Sequence, residues 1–273
     1  MTSYDLVIAI RCHQSLDFIL DTASSVLHCT SGRQTKLAIA VDGVPALAAQ
    51  IRKHLPNALV HCSQSSWGWG IGLYGLLAET VLFCEEQITF SHFASIDYDT
   101  LFLAKGADDA LLSLVDSPEI GLIGQVGTQN VRWKTEFERS RKFFEKNLGV
   151  PATYVPGEGV AGSMMLLTRS ALARMKERGL FSPRWRNLKS ECHLADDYLL
   201  PLLVKSCGLT IRDSKGVTEC AWTATRDPCG LEKEGIKVFH PIKFVPGVHA
   251  PVRAREVKAR NYFRTLRGQR PLK

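Results

Sequence analysis

Phe93-Ala94-Ser95-Ile96-Asp97-Tyr98-Asp99 is a short apolar run that ends on two aspartates one residue apart. Carboxylates at that spacing suit a hard divalent cation such as Mg2+ or Mn2+. Such an ion takes one or two carboxylates and leaves positions for water and a substrate's phosphates. Asp-x-Asp is also common in surface turns, so the pair needs company. A second acidic pair, Asp196-Asp197, stands just before an apolar stretch. Adjacent carboxylates there can simply favour a helix start. Alternatively, one takes a proton from an attacking hydroxyl while its neighbour orients it. Arg11, His13 and Asp42 each follow an apolar run, where a ligand can be met. His240, in Val238-Phe239-His240-Pro241-Ile242-Lys243, is a lone histidine of the kind that more often packs than ligates.

The elements that must carry these residues alternate. Asp5 to Ile10 reads as a buried strand, and Arg11 to Ser15 as a polar loop. A helix follows from Leu16 to His28, with Phe18, Ile19, Ala23, Val26 and Leu27 at helical spacing. Lys36 to Val41 is a second strand, closed by Asp42-Gly43. Next come a helix from Ala46 to His54 and a strand from Ala58 to Cys62. This β-α-β-α-β order predicts an α/β fold with a mostly parallel sheet flanked by helices. Ligands in such sheets bind beyond the carboxyl ends of the strands, and Arg11, His13, Asp42 and Asp97 share that placement.

Ser66-Trp67-Gly68-Trp69-Gly70-Ile71-Gly72 is glycine-rich and precedes a helix from about Leu73 to Glu86. Glycines there allow close approach to an anion, or the segment is a turn with packing tryptophans. A helix at Asp108 to Val115 and a strand at Ile120 to Gly124 continue the alternation. Residues 128–156, charged and aromatic, read as an insertion. Gly157 to Leu167 is a glycine-rich loop entering a buried strand, with a helix from Ser170 to Arg178. The apolar helix after Asp197 is expected from Leu199 to Ser206, with Pro201 in its first turn. Leu209 to Asp213 is expected as the last strand.

Composition narrows the class. The chain has 273 residues, 45% of them hydrophobic, enough for one large domain. The start lacks a secretory pattern, and no run approaches the roughly 18 apolar residues of a membrane span, which reads as cytoplasmic. The eight cysteines, without a Cys-x-x-Cys pair, read as reduced and mostly buried. Cys220, Cys229 and His240 fit no zinc spacing. The net charge of +7 arises wholly between Arg253 and Lys273, which carries eight Lys or Arg and one Glu. The basic character therefore belongs to a tail, and a nucleic-acid face across the domain is not expected. The tail can be solvated, rest on anionic lipid as an amphipathic helix, or bind a partner. There is no G-x-G-x-x-G after the first strand and no P-loop.

In this order the motifs resemble the nucleotide-sugar glycosyltransferases of the GT-A fold, most of all the family-2 group. The resemblance spans about residues 4 to 212. It rests on the first strand and helix, Asp42 after strand two, Asp97-Tyr98-Asp99 at the place of the D-x-D metal motif, and Gly159 to Leu167 followed by Asp196-Asp197. It implies one GT-A domain over 1–250, with a nucleotide-binding half (1–127), an acceptor-binding half (128–250) and the basic tail over 251–273. It implies a nucleoside-diphosphate sugar donor, most readily a UDP-sugar, and a glycan, lipid or small-molecule acceptor. Mn2+ or Mg2+ would sit on Asp97 and Asp99, with His240 resembling the C-terminal histidine that completes the site in several GT-A enzymes. Asp42, Arg11 and His13 would line the nucleotide pocket, and Lys243 would hold a phosphate oxygen. Asp197, with Asp196 as runner-up or orienting neighbour, would be the general base of an inverting transfer. The chain departs from the pattern in having Asp-Asp for the usual Glu-Asp, and in lacking the arginine often found in the following helix. The competing readings are a nucleotidyltransferase, which the glycine-free loop at residues 11–15 disfavours, and a non-catalytic binding protein of this fold.

Overall fold

The computed structural model describes residues 2–30, 35–68, 71–127, 142, 145, 159–162, 164–182, 195–220, 228–242 and 252–272. It opens on β1 (Ser3–Cys12), α1 (Leu16–Cys29), β2 (Thr35–Val41), α2 (Pro45–His54) and β3 (Leu59–Cys62). α3 (Ile71–Gln87), β4 (Thr89–Asp97), β5 (Leu101–Phe102), α4 (Ala107–Leu112) and β6 (Ile120–Gly124) follow. Then come β7 (Met164–Leu167), α5 (Arg169–Glu177), α6 (Asp196–Ser206), β8 (Thr210–Asp213), β9 (Thr218–Cys220), β10 (Val238–His240) and α7 (Val252–Leu266). The α/β alternation expected from the apolar periodicity is present throughout the first half.

Among the described residues the main sheet has seven strands in the order β3-β2-β1-β4-β7-β6-β8. β1, β2, β3 and β4 run parallel, and β7 is antiparallel to both β4 and β6. Side chains alternate across the sheet, as a period of two requires. Leu6, Ile8 and Ile10 pack with Ile19, Ala23, Ile51 and Leu111 on one face. Val7 and Ala9 pack with Leu77, Val81, Met175 and Leu203 on the other. Helices α1, α2 and α4 thus cover one face, and α3, α5 and α6 the opposite one. The antiparallel β7 matters for the site. Its first residue, Met164, lies opposite Ile96 near the end of β4. Residues 159–162 therefore arrive at the edge where Asp97 leaves the sheet.

Three expectations change. Leu209 to Asp213 is not the last strand: β9 and β10 form, with β5, a second sheet in the order β5-β10-β9. These strands are two or three residues long, too short to leave a period. Pro201 is not in the first turn of its helix, because α6 begins at Asp196 and encloses it. Of the three readings open for the C-terminal tail, the solvated one does not hold for residues 252–266. Residues 252–266 are helical, and Ala259 and Phe263 are buried with Leu101, Leu103, Phe239 and Ile242. Its arginines turn inward: Arg260, Arg264 and Arg267 all pair with the buried Asp21 of α1, at 2.9, 3.0 and 2.5 Å. No helix among the described residues is long and apolar enough to cross a membrane. The insertion reading of residues 128–156 lies almost wholly outside the described residues, as do Lys243 and Cys192.

Candidate active site

Arg11 is the residue on which the site is built. The parallel register of β1 and β4 sets it beside Asp97. Its Nη2 lies 2.9 Å from Asp97 Oδ1 and donates to the Gly162 carbonyl at 2.6 Å. Its Nη1 donates to Asp196 Oδ2. A guanidinium fork can satisfy several oxygens at once, which a lysine ammonium does less well. Only 3% of the side chain is exposed. The resemblance placed Arg11 in the nucleotide pocket. The structure puts it at the pocket floor, joining the first acidic motif to the second.

The Asp-x-Asp sits where β4 ends. The main chain turns there, with Thr100 N–H bonded to the Asp97 carbonyl at 3.0 Å. His240, at the end of β10, enters from the second sheet. Its Nε2 lies 3.1 Å from Asp99 Oδ1 and 3.7 Å from Asp97 Oδ2. Ile242 N–H donates to the Asp99 carbonyl at 3.0 Å, tying the two segments together. One ligand atom from each of Asp97, Asp99 and His240 falls within 4.8 Å of the others. Two carboxylates and an imidazole form a donor set that suits a divalent cation, and the separations suit convergence on one ion.

The electrostatics follow from burial. Burial lifts the Asp97 carboxyl, Arg11 opposes it, and the Asp99 charge adds to the lift. Burial alone would lower the His240 imidazole, but Asp99, Cys220 and Asp97 outweigh it and push it up to about 10. Without a metal, His240 is therefore an imidazolium paired with Asp99.

Asp196 and Asp197 occupy the first turn of α6. Asp196 is buried on Arg11, while Asp197 is half-buried and faces the cleft. Burial pushes the Asp197 carboxyl up, with Asp196 adding and Arg11 opposing, to about 8. A hydrogen bond from the Gly162 backbone works in the opposite sense. A Cβ on Gly162 would lie 2.1 Å from Asp197 Oδ1, so only glycine allows this approach. Pro201 contributes from inside the helix. It has no N–H for the carbonyl four residues back, which belongs to Asp197. That carbonyl instead accepts from Val160 N–H at 2.9 Å, stitching the glycine-rich segment to the acidic pair.

Asp42 lies at the end of β2 but is engaged by its own loop. It accepts from Trp67 N–H at 2.6 Å, Gly68 N–H at 3.0 Å and Ser66 Oγ at 2.8 Å. The backbone donors of the glycine-rich stretch thus meet the chain's own carboxylate, and Trp67 is a packing residue. Trp67 is buried, and a Cβ at Gly75 would lie 2.4 Å from its ring. His13 is exposed at the rim, edge-on to Tyr98 with ring centroids 5.8 Å apart.

One cleft of about 680 Å3 is lined by Arg11, His13, Asp42, Asp97, Asp99, Asp196, Asp197 and His240. Every proposed site residue within the described residues faces it. Sequence reading missed Gly162, whose signal was its place in a glycine-rich loop. It also missed the bridging role of Arg11, which only strand register reveals.

The fold is of the GT-A type, as its likeness to solved structures shows. The chain is similar in structure to mouse xyloside xylosyltransferase 1 in its apo form, at 14% identity and a TM-score of 0.51, over 88% of this chain and 97% of that one. It is similar to the galactosyltransferase LgtC, solved in complex with donor and acceptor sugar analogs, at 14% identity and a TM-score of 0.51, over 94% of this chain and 95% of that one. The apo bifunctional glycosyltransferase WbbM matches 95% of this chain with 50% of its own length, at 12% identity and a TM-score of 0.50. No protein-family model and no curated protein sequence matches the chain. At these identities the likeness is one of fold.

Proposed function

We propose that this protein is a glycosyltransferase that moves a sugar from a nucleoside-diphosphate donor, a UDP-sugar in the first instance, to an acceptor hydroxyl. The carrying observation is the convergence of Asp97, Asp99 and His240 with Asp196 and Asp197 in one cleft at the carboxyl ends of a GT-A sheet. Asp97, Asp99 and His240 would hold Mn2+ or Mg2+. The ion would supply Lewis-acid neutralisation of the charge that develops on the leaving diphosphate. Arg11 pairs with both Asp196 and Asp97 and so holds the two acidic motifs together at the sheet edge. Asp197, the acid that faces the cleft, takes the proton of the attacking hydroxyl. The base and ribose would rest near the loop that Asp42 orders, with His13 at the rim. Lys243 remains a candidate for a donor phosphate.

A second course is favoured by the Asp197 carboxyl itself, which at about 8 is largely protonated at neutral pH. In that form it donates a hydrogen bond to a sugar hydroxyl, and the departing phosphate oxygen takes the acceptor's proton on the same face. The first course inverts the anomeric centre and the second retains it. A screen of UDP-, GDP- and dTDP-sugars with Mn2+, read by nucleotide release, tests the activity. Release above background that Asp97→Asn abolishes supports the transferase reading, and no release from any donor counts against it. The anomeric configuration of the product, read by proton NMR, then separates base from hydrogen-bond donor.

A further inference from the structure

We propose that the C-terminal helix α7 is a positioning element of the metal site, with Arg260 as the residue that sets the Asp97-Tyr98-Asp99 turn. The inference rests on the reading of Asp97, Asp99 and His240 as metal ligands.

Arg260 is fully buried, at 0% exposure. Its Nη2 donates to the Tyr98 carbonyl at 2.9 Å. That carbonyl belongs to the peptide between the two aspartates, so its direction sets how Asp99 faces Asp97. Thr22 Oγ1 shares the task, at 2.6 Å from the Tyr98 carbonyl and 3.1 Å from that of Thr100. Arg260 is in turn fixed at every nitrogen. Nη1 donates to Asp21 Oδ2 at 2.9 Å, Nε donates to Glu256 Oε1 at 3.0 Å, and the guanidinium lies 4.8 Å from the centre of the Phe18 ring. A fork locked on two carboxylates has little freedom left, so the Tyr98 carbonyl is held by a rigid group.

The apolar side of α7 acts on the other ligand. Phe263 and Ala259 share one buried cluster with Leu101 and Leu103, just after Asp99, and with Phe239 and Ile242, on either side of His240. The helix therefore packs beneath both chain segments that carry the ligands. These segments are 141 residues apart in sequence at Asp99 and His240. Groups that orient ligands tune metal affinity even when they never touch the ion, typically by about 10–100-fold.

The test is Mn2+ alone added to the full chain, with free Mn2+ read by electron paramagnetic resonance, together with the Tm of each metal-free variant. Wild type and Asp99→Asn check the metal reading. Arg260→Lys keeps a positive charge opposite Asp21 but loses the fork, and Thr22→Val removes the second donor to Tyr98, together with the Oγ1 that accepts from Arg260 Nη1 at 3.2 Å, while leaving the charges of Arg260 and Asp21 in place. Arg267→Gln loosens the helix at Asp21 while leaving Tyr98 alone. Arg260→Lys should weaken Mn2+ binding about tenfold or more, with Thr22→Val following in the same direction and Arg267→Gln staying within about twofold of wild type. Wild-type affinity in both Arg260→Lys and Thr22→Val would overturn the inference. So would a weakening in Arg260→Lys and Arg267→Gln that merely tracks their loss of Tm. Absence of Mn2+ binding by wild type would overturn the metal reading, and this inference with it.

Discussion

Asp197 carries opposite demands for stability and chemistry. Its carboxyl is raised to about 8, against about 4 in an unfolded chain. Between those values the folded protein binds more protons than the unfolded one, so this group's contribution falls as pH rises from about 4 through 8. Asp197→Asn should therefore raise the Tm of the metal-free protein at pH 8 and flatten its decline with pH, as read by calorimetry. The same change should cost about 10²–10⁴-fold in transfer rate if Asp197 is the base. Activity of wild type should then climb with pH through about 8, and a flat profile would remove Asp197 from that role. His240 makes a separate prediction. Its imidazolium must lose a proton to bind an ion, so Mn2+ binding at pH 7 should release about one proton. Calorimetry in buffers of different ionisation enthalpy measures that number.

At the scale of elements, the site depends on three register and loop features. β1 and β4 pair so that Arg11 stands beside Asp97. β7 runs antiparallel, delivering Gly162 to Arg11 and Asp197. Pro201 leaves the Asp197 carbonyl to Val160. Pro201→Ala restores a helical N–H that competes for that carbonyl, so the Val160 amide should exchange faster with solvent. Unchanged exchange would show that the stitch does not depend on the proline. The central strands β1, β2, β6 and β7 are legible because each holds a continuous apolar run, and Asp42 and Asp97 because they close such runs. β9 and β10 were not legible, since three residues give no periodicity. In sequence Arg11 reads as a loop residue because its charge interrupts the apolar run at Ile10, while the strand continues to the buried Cys12.

The whole molecule brings residues from both ends of the chain to one place. His240 joins acids of the first half, and α7 packs on α1 and on the small sheet. In the sequence residues 253–273 carry the entire net charge and read as a basic tail, solvated, resting on lipid or bound to a partner. Their destination was hidden because Asp21 reads as an ordinary polar position of an amphipathic helix. Once Asp21 is seen to gather three arginines, the tail becomes part of the fold. Phe263→Ala should cost about 3–5 kcal/mol, measured by urea unfolding, because it empties the cluster that Phe263 shares with Leu101, Leu103, Phe239 and Ile242. A buried ion pair broken on one side is similarly costly, about 3–5 kcal/mol, so Arg260→Met should be comparable. With the apolar face of α7 turned inward, loss of residues 252–273 should register first as lost stability.

The proposed function requires a metal-dependent nucleotide site at the ends of β1, β2 and β4. Calorimetric titration of UDP into wild type and the Asp97→Ala/Asp99→Ala variant, each with and without Mn2+, tests it most directly. Wild type should bind only when Mn2+ is present, and the variant under neither condition. UDP binding that ignores Mn2+ or survives in the variant would contradict it, as would wild type failing to bind UDP, GDP and dTDP alike.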